Sequence, residues 1–141
     1  MNTEVMFSSN STEWETPIDL FNALNEEFDF DLDPCSSNEN HKCSLYFTKE
    51  QDGLIQDWGK HRVFCNPPYG RGIEKWVKKC AEHKTLCVML IPARTDTKWF
   101  HKYIYHNFNA EIRFLQGRLK FSNCNNSAPF PSMIVIFRNN K

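Results

Sequence analysis

Asn66, Pro67, Pro68 and Tyr69 stand in a row directly after the apolar run Val63-Phe64-Cys65. The row presents an amide, a backbone carbonyl and a phenol ring, a trio suited to a planar ring bearing an exocyclic amine. The Asn66 oxygen and the Pro67 carbonyl can accept the two amine hydrogens. Accepting them draws the nitrogen lone pair out of ring conjugation and makes it a nucleophile. Tyr69 can stack on the ring, worth roughly 1–3 kcal/mol per base. Asn66 is neutral, so it polarises the amine and is no strong base. The bland alternative is a Pro-Pro turn with a satisfied Asn cap, since short motifs misfire often. Asp33, before Pro34, and Asp52, before Gly53, are each either a ligand carboxylate or a plain turn residue.

Such groups act only if secondary structure fixes them. Val63, Phe64 and Cys65 suit a buried strand. Pro67 and Pro68 cannot extend it, having no N–H for a ladder. Residues before a proline are pushed into extended conformations, so the motif leaves a strand end as a stiff loop. Upstream, Thr16 is placed to cap a helix over 17–27, with Pro17 in its first turn and Leu20, Phe21, Leu24 and Phe28 at helical spacing. Trp14 and Thr16 lie open enough to touch a ligand, or serve as a hydrophobic staple. Phe28 to Asp33 alternates apolar and acidic, which predicts a strand with Asp33 at its carboxyl end, where open α/β sheets bind ligands. Residues 38–60 read as irregular.

Downstream, 73–83 reads as a helix and 85–91 as a strand covered on both faces. Thr95 or Asp96 caps a helix to about residue 105. Strands follow at 110–115, briefly at 117–121, and at 133–137. That order is an α/β sandwich.

The chain has 141 residues, 40% of them hydrophobic, with 12 Phe and 4 Trp, enough for one core. Residues 1–12 read as a flexible N-terminus and 13–141 as a single domain. No window approaches about 18 apolar residues, so no membrane span is expected, and Met1–Asn10 carries no signal-peptide pattern. The 6 Cys form no CxxC pair and no zinc spacing with the His residues. No metal is expected, and reduced thiols in the cytoplasm are the simple account. Net charge is zero, yet residues 1–59 carry 13 acidic and 2 basic side chains and residues 60–141 carry 4 and 15. The halves are −11 and +11. The basic half can meet phosphates and the acidic half a cationic small molecule, or the halves neutralise one another.

Trp14-x-Thr16-Pro17, Asp33-Pro34, Asp52-Gly53-Leu54 with Trp58, Asn66-Pro67-Pro68-Tyr69-Gly70, Trp76, Pro92-Ala93-Arg94, Trp99-Phe100 and Gly117-Arg118-x-x-Phe121 occur in this order. The ordered set resembles the phage-type DNA adenine-N6 methyltransferases over about residues 13–138. The resemblance implies a compact, Rossmann-like class I methyltransferase sandwich with a mixed sheet. It implies S-adenosylmethionine as donor and the N6 amine of adenine in DNA as acceptor. Asn66, Pro67, Pro68 and Tyr69 match the catalytic loop. Trp14, Thr16, Pro17, Asp33, Pro34, Asp52 and Asn66 are implied on the cofactor side. Arg71, Arg94, Arg118 and Lys120 are candidate DNA contacts by position and charge.

Two departures accompany it. The glycine-rich loop usual after the first strand is replaced by Pro34-Cys35-Ser36-Ser37. The interval from Asp33 to Asn66 is too short for two full strand–helix units, which predicts a reduced sheet edge. The rivals are a methyltransferase acting on another planar amine (cytosine N4, an RNA base or protein glutamine) and a catalytically silent nucleic-acid-binding domain.

Overall fold

A computed structural model describes residues 13–139; the expectation for residues 1–12 lies outside that range. Among the described residues six strands form one mixed sheet: β1 (Leu32–Ser36), β2 (Leu45–Thr48), β3 (Val63–Cys65), β4 (Leu86–Pro92), β5 (Ala110–Phe114) and β6 (Ser132–Arg138), in the order β2-β1-β3-β4-β6-β5. The first four are parallel and β6 runs antiparallel to both its neighbours. Among the described residues two α-helices, α1 (Ile18–Phe28) and α2 (Ile73–Glu82), accompany them. This is an α/β architecture of the Rossmann-like kind, and its edge is reduced: only the four-residue β2 lies outside β1. Every residue of β4 is buried, as a strand covered on both faces demands.

The α1 helix ends where the sequence suggested a strand. Phe28 is its last residue, and Asp29 takes a left-handed conformation (φ 55°) with its N–H on the Asn25 carbonyl. Short acidic side chains tolerate that cap. The Asn25 side chain then accepts the Phe30 N–H at 2.8 Å, and Arg62 Nε donates to the Phe28 carbonyl at 2.6 Å. The apparent alternation from Phe28 to Asp33 is therefore a helix end, a cap and an entry to β1. Phe21 and Phe30 close over Phe64 of β3, with centroids at 5.2 and 5.4 Å.

Other differences are local. β2 falls inside the stretch read as irregular. The expected helix after Thr95 is the π-helix Phe100–Tyr105, and its first turn is held by Thr97, whose Oγ1 accepts the Phe100 N–H. Residues 117–121 form no strand: Ala128 N–H bonds the Leu119 carbonyl, and Phe121 is buried against Trp14.

Candidate active site

Pro34 sits inside β1 and has no N–H to give. The ladder between β1 and β3 accordingly holds at Leu32↔Val63 alone, and the register with β2 slips between Asp33 and Ser36. β1 and β3 thus part at their carboxyl ends. This is also where the topology reverses: the chain leaves β1 toward β2, but leaves β3 by way of α2 toward β4 on the other side. Ligand crevices of open α/β sheets lie at such a point.

Asn66 leaves β3 into this opening and is its hydrogen-bonding hub. Its Nδ2 donates to the Trp14 carbonyl and, at 2.9 Å, to Thr16 Oγ1. A carbonyl can only accept, so the amide orientation is fixed and Oδ1 faces Tyr69. The Tyr69 hydroxyl lies 2.8 Å from that Oδ1 and 3.0 Å from the Leu90 carbonyl. It has one proton for the two acceptors. Burial holds the phenol well above its ordinary range, so Tyr69 stays a neutral donor.

The segment 13–16 is a strap across this hub. Glu15 N–H donates to Asn123 Oδ1, Asn123 Nδ2 to the Glu13 carbonyl, Ser122 N–H to the Glu15 carbonyl, and Ser122 Oγ to the Thr16 carbonyl. The loop between β5 and β6 therefore lashes the strap down. Under it, Trp14 packs near-parallel to Tyr69 (centroids 6.5 Å, 16°) and edge-on to Phe130. Tyr69 is only 7% exposed.

Beside the strap lies a cavity of about 760 Å3, bounded by Trp14 and Thr16, the β1 end from Asp33, residues 48–54, and Asn66, Pro67 and Pro68. Its wall carries the carboxylates of Glu13, Glu15, Asp33, Glu39, Glu50 and Asp52 against Lys42 and Lys49. The acidic half of the chain builds this wall. Among the described residues, Arg113 with Glu27 is the cross-half ion pair, and His61 Nδ1 lies 3.2 Å from Asp31, so the halves leave most of their charge unneutralised.

Asp33 is 4% exposed. Burial pushes its carboxyl up from 3.8 to about 6, against the Lys42 N–H at 2.8 Å and the Cys35 N–H, which hold the ionised form. Asp52 takes φ 56° and caps the 3-10 turn Gly53–Ile55, its Oδ1 accepting the Leu54 N–H at 3.1 Å. At Gly53 a Cβ would stand 2.1 Å from the Pro34 carbonyl oxygen. The glycine missing after β1 is thus supplied by the facing segment, where backbone meets backbone.

Trp14, Thr16, Asp33, Pro34, Asp52, Asn66, Pro67 and Pro68 come together on this cavity, while Pro17 and Tyr69 do not line it. Three expectations are corrected. Trp14 and Thr16 are buried, at 7% and 3% exposure. Thr16 provides no helix cap: Pro17 occupies the cap position, and the Thr16 hydroxyl accepts from the Asn66 amide instead. Asp33 is the second residue of β1, not its last. Arg71, Arg94, Arg118 and Lys120 are all exposed, each just beyond the carboxyl end of β3, β4 or β5. Since β5 runs in the direction of β4, these ends share one rim of the sheet. None of the four lines the cavity. Sequence reasoning missed Lys42, Gly53, Ser122 and Asn123; only the Asp-Gly turn marked any of them.

The cysteines are free thiols, and burial raises those of Cys65, Cys80 and Cys87, which makes them inert. Among the described residues no group of three or more His, Cys, Asp or Glu stands where it could hold a metal ion.

Residues 5–141 match the family described as DNA N-6-adenine-methyltransferase (Dam). A DNA N-6-adenine-methyltransferase of Haemophilus phage HP1 (strain HP1c1) is 30% identical over 135 residues, covering 88% of this chain and 77% of the relative. One of Escherichia phage T1 is 37% identical over 92 residues, covering 62% of this chain and 38% of that longer protein.

Proposed function

The chain belongs to the DNA N-6-adenine-methyltransferase (Dam) family, and from that premise we propose that it transfers a methyl group from S-adenosylmethionine to the N6 amine of adenine in DNA. The observation that carries this is the shared wall: Asn66, Pro67 and Pro68 close one side of a carboxylate-rich cavity. A cationic donor suits that wall, and its size suits a nucleoside-sized molecule.

Trp14, Thr16, Asp33, Pro34, Asp52 and Asn66 hold the donor in this reading, Asp33 by charge and Gly53 by letting residues 52–54 approach Pro34. When bound, S-adenosylmethionine supplies an electrophilic methyl group on a positively charged sulfur. The Asn66 Oδ1 and the Pro67 carbonyl accept the two amine hydrogens of the target. For this the Tyr69 hydroxyl turns its single proton to the Leu90 carbonyl, already 3.0 Å away, and so frees the Asn66 oxygen. The amine lone pair is then drawn out of ring conjugation and free to take the methyl group that the bound donor would supply, the S–C bonding pair staying with the sulfur. Asn66 is too weak a base to keep the amine proton, which passes to water. Holding donor and amine in line supplies most of the acceleration.

A base that stacks on Tyr69 must displace Trp14, and flipping it from a duplex costs a few kcal/mol. Arg71, Arg94, Arg118 and Lys120 meet the DNA phosphates along the rim. Residues 13–141 act as one methyltransferase domain, in the cytoplasm where DNA and donor are both present. No helix among the described residues is long and apolar enough to cross a membrane.

The test is incubation with methyl-labelled donor and duplex DNA, then digestion to nucleosides. Label in N6-methyl-2′-deoxyadenosine alone is expected. Label in methylcytosine, or none under conditions where the donor binds, refutes the proposal.

A further inference from the structure

β5 is an outer strand of the sheet, and its inner bonds reveal which groups face out. Arg138 N–H bonds the Asn109 carbonyl at 2.8 Å and Leu115 N–H bonds the Ser132 carbonyl at 3.1 Å. The register between them is unbroken, with Ile112 opposite Val135. Backbone groups alternate along a strand. The odd-numbered residues of β5 therefore spend their N–H and C=O on β6, and Ala110, Ile112 and Phe114 point theirs outward. The Ala110 N–H is taken by the Asn107 carbonyl.

This edge is only partly guarded: Glu111 and Arg113 are charged, but each is engaged by partners in its own chain. No proline, lysine or bulge interrupts Ala110–Phe114. Phe114 is 60% exposed, and Phe108, just before the strand, is fully exposed. Neither contributes to the core, so the fold itself gives no reason for an aromatic at either place.

We infer that β5 pairs with β5 of a second copy of this chain, antiparallel about a two-fold axis at Ile112. Only outward-facing residues can pair, and Ile112 is the middle one. Centring there lets each Ile112 N–H meet the other copy's Ile112 carbonyl, and each Phe114 N–H the other's Ala110 carbonyl. The same register sets Glu111 of one copy directly opposite Arg113 of the other, on one face of the joined sheet. Both charges keep their own-chain partners, Arg113 with Glu27 and Glu111 with Arg138, so the axis gathers alternating charges into one network. On the other face, Phe114 lies over the small Ala110 of its mate. A different partner strand would have to supply both the charge order and the large–small order. A second copy supplies both by symmetry.

The test is sedimentation of the full chain from about 1 µM to about 1 mM, the range in which small interfaces associate. The expected result is a mass rising toward twice that of the monomer. Ile112→Pro removes an N–H that β6 does not use, and Phe114→Lys places a charge on an exposed site. Each is expected to keep the protein monomeric at every concentration, with the melting temperature of the Phe114→Lys protein unchanged. A parent chain monomeric throughout overturns the inference. So does a dimer that survives Phe114→Lys, which decides the matter should Ile112→Pro fail to fold.

Discussion

If Asp33 holds the donor as proposed, its buried carboxyl should make stability and donor binding respond to pH in opposite directions. Its value in the folded protein is about 6, against 3.8 in the free side chain. The ionised form is therefore the costly one, by about 3 kcal/mol at 1.36 kcal/mol per pH unit. This group's contribution to stability is complete below pH 3.8 and is lost as pH rises through about 6. A cationic donor needs the opposite form, because it is the carboxylate that attracts it. Below pH 6 the donor must first expel a proton from Asp33, so its affinity should fall about tenfold between pH 7 and pH 5. Titration calorimetry with S-adenosylmethionine across that window measures the effect. Asp33→Asn is the control. It should flatten the profile and weaken binding at pH 7. It should also stabilise the donor-free protein at pH 7 by about 2 kcal/mol, the relieved charge less about 1 kcal/mol for a lost acceptor. A donor affinity that does not change from pH 7 to pH 5, or an equal slope in the Asp33→Asn protein, would refute the reasoning.

Five other substitutions probe separate parts of the site. Asn66→Ala should lower the rate of methyl transfer at least a hundredfold while donor affinity, read by calorimetry, moves only a few-fold; Thr16→Val, which removes one acceptor of the Asn66 amide, should lower kcat about two- to tenfold. Gly53→Ala forces a Cβ to 2.1 Å from the Pro34 carbonyl oxygen, so thermal denaturation should show a loss of about 1–3 kcal/mol, with weaker donor binding. Arg118→Ala and Lys120→Ala should each make the dependence of DNA affinity on salt shallower, by about 0.9 in log–log slope for each phosphate no longer neutralised, and leave donor affinity alone.

What the sequence disclosed divides by how local its causes are. The Asn66-Pro67-Pro68 loop was legible because proline stereochemistry acts on adjacent residues and needs no tertiary partner. β4 and β6 were legible because long apolar runs have few fates. β2 was not, since Leu45 to Thr48 alternates too briefly to signal a strand and exists by pairing with β1. The strand expected at Phe28–Asp33 failed because a helix ending on Phe28, capped by Asp29 and re-entering at Phe30, imitates period-two alternation. Thr16 has the right residue type and position for a cap, yet Asn66, fifty residues away, claims its hydroxyl. The setting of Tyr69 was invisible for the same reason. Its ring looked available until Trp14, Phe121 and Phe130, drawn from both ends of the chain, closed around it.

The absent glycine-rich loop and the short Asp33–Asn66 interval have one physical resolution. A glycine-rich loop makes room by removing side chains at a strand end. Here Pro34 makes room by withholding an N–H, so that β1 leaves β3 after Leu32↔Val63, and Gly53 lets the facing turn close on the Pro34 carbonyl. Because the opening is made within the strand itself, no second strand–helix unit is needed to shape it, and fourteen residues between β2 and β3 suffice for the return. The same economy explains the polarity of the charge. The short acidic segment that returns over β1 supplies the cavity wall, leaving the basic half to the strands whose carboxyl ends form the rim. In the proposed function donor and DNA would therefore approach Asn66 from opposite sides of β3, and a positive donor would not be repelled by the lysines and arginines that would attract phosphate.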